Sequence, residues 1–215
     1  TGDAIVRDIH ATNIDLAGTV TARKLQGRST LGSGSTINII NQGSLSSISG
    51  AGTVNMLGAG SLGVAGEGVN VTTLNLKAAG DVVVGTDSIT ATTITHENAT
   101  LVRDGTLTMR GDYTAKDPGY RLTNGTFSII SQSANISGAM KIDASYRGSG
   151  SIIDLSQAKL NIDNMTSATL ALDANSNFPP DFAGIALISI SDPEVKKKFY
   201  SKFRMASNNT FIKPQ

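Results

Sequence analysis

Four aspartates in the last third of the chain follow one another at nearly equal intervals. They are Asp143, Asp154, Asp163 and Asp173. If half-turns of a repeating structure recur at this interval, the carboxylates form a ladder on one face. Like charges stacked about 5 Å apart repel unless a cation bridges them, so such a ladder suits calcium or the acid and base of a sugar-cleaving enzyme. The alternative is that the four are unrelated, exposed corner residues.

A second candidate site lies in residues 111–121, which contain a Pro-Gly pair and two tyrosines. Pro-Gly marks turns and loops, so the sequence predicts a loop that leaves a corner of the structure. Aromatic residues are scarce before residue 178, so this loop is the place where a ligand groove could be lined. The predicted surface-binding residues are Tyr113, Lys116, Tyr120 and Arg121.

Other catalytic patterns are absent from the sequence. The two histidines lie far apart, and His96 sits in a Thr-His-Glu-Asn stretch that predicts a solvated turn. No zinc-protease motif and no phosphate-binding loop occurs. The chain has no cysteine, which excludes disulfides and cysteine-ligated metals. We therefore predict no catalytic residues, no metal, no cofactor and no enzymatic activity.

The element that must position these residues is a short unit that keeps returning: a glycine, usually a Ser or Thr, then an apolar–polar–apolar triplet. The first apolar residues fall at positions 20, 37, 54, 69, 89, 107, 127 and 152. Alternation of apolar and polar residues is typical of β-strands, and a drifting period of about 19 residues is typical of a solenoid. The glycine allows the backbone turn that begins each unit.

We therefore predict an all-β parallel β-helix of nine or ten coils, a rod on the order of 45 Å long at about 4.8 Å per coil. Residues predicted to stack inside it are Ile37, Ile39, Val54, Met56, Leu107, Met109, Phe127 and Ile129. The alternative is an antiparallel sandwich or barrel, in which Asp104-Gly105 and Asn124-Gly125 would form hairpin turns.

The chain changes character near residue 177, beyond which six of its ten aromatic residues lie. They are Phe178, Phe182, Phe199, Tyr200, Phe203 and Phe211. We expect two units, a β-helix stalk over residues 1–177 and a C-terminal capping segment over 178–215.

Within the capping segment, Asp192 as N-cap, Pro193 at the first position and Glu194 in the first turn predict a helix start. Val195, Phe199, Tyr200 and Phe203 then lie on one apolar face. We expect this face to cover the last coil, with Phe199 and Phe203 among its buried residues. A membrane-surface or polyanion-binding helix, and a strand or disordered tail, are the alternatives.

Charge and composition exclude several classes of function. Residues 192–215 carry six Lys or Arg against two acidic residues, a balance of +4, so with a total of +1 the remaining chain carries −3. The body is therefore not a nucleic-acid binder by electrostatics. No apolar run approaches the about 20 residues that a membrane-spanning helix needs, so no transmembrane helix is predicted. Since the chain begins at Thr1, we expect a processed product or a fragment.

The glycine–Ser/Thr–triplet units, the Thr/Asn/Gly-rich coils and the absence of cysteine resemble the passenger region of bacterial autotransporters and related filamentous-haemagglutinin-type proteins. The stretch 182–189, a glycine followed by an aliphatic strand, is also similar. The resemblance covers about residues 18–190 and rests on pattern. It implies a right-handed parallel β-helix exported to the cell surface or secreted, and it implies no catalytic residues.

The functional expectation that follows is a structural or adhesive surface protein. Its partners would be host or bacterial surface molecules, or further copies of itself. A polysaccharide-active β-helix enzyme or a fibre like a phage tail spike is the alternative, and a groove lined by carboxylates and aromatics would distinguish the enzyme.

Overall fold

A computed structural model of the protein describes residues 3–145, 150–173, 176 and 187–206. In it the chain winds into an all-parallel β-solenoid of 16 strands and about 7 turns. The predicted parallel β-helix is therefore confirmed, with fewer coils than the nine or ten expected. At about 4.8 Å per coil, seven turns correspond to a rod on the order of 34 Å long.

Sixteen strands and one helix follow one another in the part of the chain that the structure describes. The strands are β1 (Ala4–Leu16), β2 (Thr19–Leu31), β3 (Thr36–Met56), β4 (Gly60–Leu62), β5 (Val69–Leu76), β6 (Asp81–Val84), β7 (Ser88–Glu97), β8 (Thr100–Asp104), β9 (Leu107–Lys116), β10 (Gly119–Thr123), β11 (Phe127–Ala144), β12 (Ile153–Asp154), β13 (Ala158–Asn161), β14 (Met165–Leu172), β15 (Ile188–Ser189) and β16 (Phe203–Met205). The helix α1 spans Pro193–Lys202 and lies between β15 and β16.

Strand segments from successive coils form three stacks, which we call the first, second and third faces. Along the first face Val20 pairs with Ile37, and Val54 pairs with Leu74, which pairs with Ile94. The second face contains Leu45 beside Leu62, then β6, β8, β10 and the end of β11. The third face begins at Ile14 beside Ser29 and continues through the starts of β5 and β7.

The core consists of the inward side chains of these stacks. All eight residues predicted to lie inside are buried, with exposed fractions of 2% or less. They lie on two faces rather than one: Ile37 and Val54 lie on the first face, whereas Met109 and Ile129 lie on the third. Each coil thus stacks aliphatic groups on equivalent groups of the next coil, which is how a solenoid closes its core.

The alternative of antiparallel hairpins is wrong, because every pairing between the named strands is parallel. Asp104-Gly105 and Asn124-Gly125 form corners that stack on each other, and the Gly105 N–H donates to the Thr123 carbonyl at 2.7 Å. A Cβ on Gly125 would lie 2.3 Å from the Gly105 carbonyl carbon. Glycine is therefore required at 125 by the close approach of two backbones.

The predicted helix is confirmed with its cap. Asp192 accepts hydrogen bonds from the backbone N–H groups of Glu194 and Val195, at 2.9 and 3.3 Å. Phe199 is fully buried, and Phe203 is half-buried against the core with its ring centroid 5.9 Å from that of Phe199. The α1–β16 segment therefore packs apolar side chains onto the last coil, as expected.

One residue of the predicted apolar face is placed differently. Tyr200 is 42% exposed, because it directly follows Phe199 and one residue of a helix turns the side chain by about 100°. After α1 the chain returns to strand, and β16 pairs in parallel with β14, Ala168 beside Phe203. The expected boundary at residue 177, together with Phe178, Phe182 and Phe211, lies outside the described residues.

Deleting residues 192–215 is expected to make the protein associate end to end. The deletion removes α1 and β16 and exposes the apolar underside and the strand edge of β14, and unpaired strand edges template further pairing. Sedimentation velocity should show higher oligomers that grow with concentration. A truncated chain that stays monomeric and melts like the parent would contradict the capping role.

Among the described residues, no helix is both long enough and apolar enough to cross a membrane. The helix α1 has ten residues and carries lysines.

Candidate interaction surface

The predicted ligand-binding loop at residues 111–121 is instead part of two strands, β9 and β10, and the prediction of a loop is wrong. Tyr113 and Tyr120 are 0% and 1% exposed, so neither ring can contact a ligand at the surface. The physical reason is that each tyrosine continues an inward column: Tyr113 pairs with Ile94 and Tyr120 pairs with Leu101.

His96 is also buried, which corrects the expectation of a solvated turn. Its Nδ1 lies 2.8 Å from the Tyr113 hydroxyl, and that hydroxyl lies 2.5 Å from the hydroxyl of Tyr120. Its Nε2 lies 2.6 Å from the carbonyl oxygen of Ala99. Since a carbonyl only accepts, Nε2 carries the proton, and the chain runs from the Tyr120 O–H to Tyr113 and from the Tyr113 O–H to Nδ1.

This buried network is held neutral. Burial lowers the pKa of His96 to about 4, a shift that the hydrogen bond to the Ala99 carbonyl partly opposes. Burial likewise raises the pKa values of Tyr113 and Tyr120. Near pH 7 all three groups are uncharged and hydrogen-bonded to one another, which is how polar groups are tolerated in a core. The network therefore stabilises the core and presents nothing to a ligand.

The two charged residues of the predicted binding site are exposed but belong to different faces. Lys116 ends β9 on the first face, beside Glu97 and Ser137. Arg121 lies in β10 on the second face, and its Nη1 is 2.6 Å from Asp81 Oδ2 in an exposed ion pair. Such pairs contribute about 0–1 kcal/mol. Tyr113, Lys116, Tyr120 and Arg121 thus form no common surface.

The predicted acidic ladder is wrong in register. Asp143 pairs with Arg121 and Ala171, and Asp154 pairs with Ser128 and Ser189. Neither is paired with another aspartate of the four, because their spacing along the chain does not match the register between neighbouring coils. The described residues contain no group of three or more His, Cys, Asp or Glu placed to hold a metal ion.

The remaining aspartates have separate surroundings. Asp163 forms an ion pair with Lys198 of α1, whose hydrogen bond lowers the pKa of the carboxyl. Asp173 accepts a hydrogen bond from the Ser176 hydroxyl at 3.1 Å. Asp143 and Asp173, together with Arg121, line a surface cavity of about 350 Å³. This pair is the part of the predicted ladder that the structure does bring together.

A regular array of Thr and Asn covers the outside of the first face, and we call it the polar face. In five successive coils, the two outward positions that flank the inward residue are occupied only by Thr or Asn. Its residues are Thr19, Thr21, Thr36, Asn38, Thr53, Asn55, Thr73, Asn75, Thr93 and Thr95.

Hydrogen bonds between coils hold these side chains in place. Asn55 Nδ2 donates to Asn38 Oδ1 at 2.8 Å, and Asn75 Nδ2 donates to Asn55 Oδ1 at 2.8 Å. In the neighbouring column the hydroxyls of Thr73 and Thr93 lie 3.4 Å apart. Each Asn amide still has a second N–H and free acceptor capacity, so the ladder is rigid and can bind further groups.

Apolar side chains adjoin the polar face. Ile40 and Leu57 are 40% and 46% exposed and follow Asn38 and Asn55 by two residues, so they point outward beside them. Ile5, which is 86% exposed, pairs with Thr21 and extends the column of the polar face that contains Thr21, Asn38 and Asn55. Three of the large exposed hydrophobic residues of the described chain thus adjoin one array, and clustered exposed apolar groups mark interaction sites.

The sequence contained a signal for the polar face that the triplet pattern alone missed. The stretches Thr-Ile-Asn at 36–38, Thr-Val-Asn at 53–55, Thr-Leu-Asn at 73–75 and Thr-Ile-Thr at 93–95 share one form, a polar residue on each side of an aliphatic one. When the repeats are aligned by their glycines, Val69 follows Val54. Val69 lies on the third face, so this alignment does not place Thr73 and Asn75 next to Thr53 and Asn55.

The parallel solenoid, with its long regular sides, is a form that supports a general surface or fibre-like role. No family model, no curated protein and no solved structure matches this chain.

Proposed function

We propose that this chain is the rod-like, adhesive part of an exported bacterial surface protein, and that it binds partners with the polar face. The observation that carries the proposal is the array itself: ten uncharged hydrogen-bonding side chains in register over five coils, bordered by exposed Ile40 and Leu57. A solenoid serves this role because every added coil lengthens the same binding surface.

The resemblance to autotransporter passengers supports a location at the cell surface or in the medium, with host or bacterial surface molecules, or other copies of the chain, as partners. The composition agrees with this location. A chain with no cysteine and only 16% charged residues needs neither disulfides nor a reducing compartment.

A polysaccharide-cleaving enzyme is the second candidate, and the cavity shared by Asp143, Asp173 and Arg121 favours it. Glycosidases use a pair of carboxylates. Against this role, Tyr113, Tyr120 and Phe127 are buried and cannot line a sugar-binding groove. We therefore place adhesion first.

The test is saturable binding of the fluorescently labelled protein to host epithelial cells and to bacterial cells. We expect binding that changes little between low and physiological salt, because an uncharged surface is not screened. Thr53→Lys, which puts a cation in the middle of the polar face, should weaken binding at least tenfold, since an unpaired charge in an interface loses its hydration.

Ser49→Lys on the third face is the matched control, because it adds the same charge at an exposed position away from the array. It should bind as the parent does. Absence of saturable binding by the parent, or equal loss in both variants, would contradict adhesion through this face. Polysaccharide turnover abolished by Asp143→Asn would favour the enzyme instead.

A further inference from the structure

We infer that the partner of the polar face is an uncharged polysaccharide whose chain lies along the axis of the solenoid. This inference rests on the proposed adhesive function and names the chemical class of its ligand. Three independent features of the face point to that class: its charge, its spacing and its apolar border.

The charge of the face excludes ionic polymers. All ten positions are Thr or Asn; the flanking column carries Arg23, Lys77 and Glu97, and Asp3 and Asp112 lie beyond the two ends of the array. These flanking charges are of mixed sign, so neither a polyanion nor a polycation finds a row of opposite charges. Hydroxyl and amide groups both donate and accept hydrogen bonds, as do the hydroxyls of a neutral sugar.

The spacing of the face fits a polymer with one unit per coil. Equivalent side chains repeat about every 4.8 Å along the axis, and the two columns stand about 7 Å apart. An extended β-linked glycan advances by nearly one coil spacing per sugar, so successive sugars meet equivalent Thr and Asn pairs. The hydrogen-bonded ladder of Asn38, Asn55 and Asn75 keeps these groups ordered before binding, which reduces the entropy lost on association.

The apolar residues that border the polar face can contact the apolar C–H groups of a sugar. A sugar ring exposes C–H groups as well as hydroxyls, and Ile40 and Leu57 are stacked beside Asn38 and Asn55 where a ring edge would lie. The threonine methyls add apolar area within the array.

The experiment measures binding of the full chain to insoluble β-1,4-glucan and to soluble cello-oligosaccharides of increasing length. Affinity should rise with oligosaccharide length and level off once the ligand spans the five coils. The triple variant Thr53→Val, Thr73→Val, Thr93→Val removes three hydroxyls while keeping shape and strand propensity. It should bind at least tenfold more weakly.

The matched control is Thr30→Val, Thr90→Val, Thr108→Val on the third face, where the three threonines are exposed to a similar extent. It should bind like the parent, and both triple variants should keep the parent melting temperature. If the array variant fails to fold, Thr53→Lys replaces it and should show the same loss.

Other results would overturn the inference. They are failure of the parent to bind neutral glycans, equal loss in both triple variants, preference for an anionic polysaccharide such as alginate, or ice-growth inhibition abolished by the array variant without glycan binding. If the parent adheres to cells but not to glucan, the inferred ligand class is wrong and the adhesive function is supported. If the parent binds glucan but no cell, the ligand class is supported and the proposed adhesion to cells is contradicted.

Discussion

Val54→Asp is expected to unfold the coils around it and to lower the free energy of unfolding by about 3–5 kcal/mol, the range for an uncompensated buried charge. Val54 is 0% exposed and lies in the inward column of the first face beside Leu74. Its neighbours in that column are aliphatic, so a carboxylate there has no partner. Thermal unfolding followed by circular dichroism should show a lower midpoint temperature, or an additional transition at lower temperature.

Thr53→Asp is the matched control, because Thr53 is the adjacent residue and points outward. It should shift stability by about 0.5 kcal/mol or less, as surface substitutions do. Because a solenoid can lose coils locally, hydrogen exchange should locate the loss in the coils next to residue 54. Unchanged melting and exchange for Val54→Asp would rule out a stacked core at this position.

Lowering the pH from 7 to 4 is expected to remove about 3 kcal/mol of stability through His96 alone. The pKa of this histidine is about 4 in the folded protein against an ordinary value of 6.5, so the unfolded chain binds the extra proton first. Stability is therefore complete above pH 6.5 and falls as the pH drops from 6.5 to 4. Denaturant titrations across this range measure the slope.

His96→Gln isolates the contribution, since glutamine can donate to the Ala99 carbonyl but does not titrate. Its stability should be lower than that of the parent at pH 7, because the ring nitrogen Nδ1 that accepts from the Tyr113 hydroxyl is removed, and should change little between pH 6.5 and 4. Carboxylates such as Asp163, whose pKa is lowered below 3.8, add losses at lower pH in both proteins. Parallel curves for parent and variant across pH 6.5 to 4 would contradict the assignment.

The repeat was predictable from the sequence because strand alternation and corner glycines are local signals. The register between faces was not. Val20, Ile37 and Val54 do form one column, but the next member is Leu74 and not Val69. Since all three faces use aliphatic residues flanked by Ser, Thr and Asn, pattern alone does not distinguish a step along one face from a step to the next.

The capped start of α1 was predictable for the same reason: Asp192, Pro193 and Glu194 act on their immediate neighbours. The burial of His96 was not, because its partners Tyr113 and Tyr120 lie on later strands, β9 and β10. When each is considered alone, a histidine among polar residues and tyrosines near a Pro-Gly pair are predicted to be exposed to solvent. They are buried because they satisfy one another's hydrogen bonds.

The spacing of the stacked columns also means that each coil contacts only coils close to it along the chain. Neighbours along the first face, from Val20 to Leu160, are separated in the sequence by a single coil. The ion pairs Arg28–Glu67 and Arg121–Asp81 reach only about two coils along the chain. Among the described residues, no coil depends for these contacts on a part of the chain more than about two coils away. A chain that emerges from one end can therefore fold one coil after another, because each new coil pairs with the coil folded just before it. The order in which the chain emerges then sets the direction in which the solenoid grows.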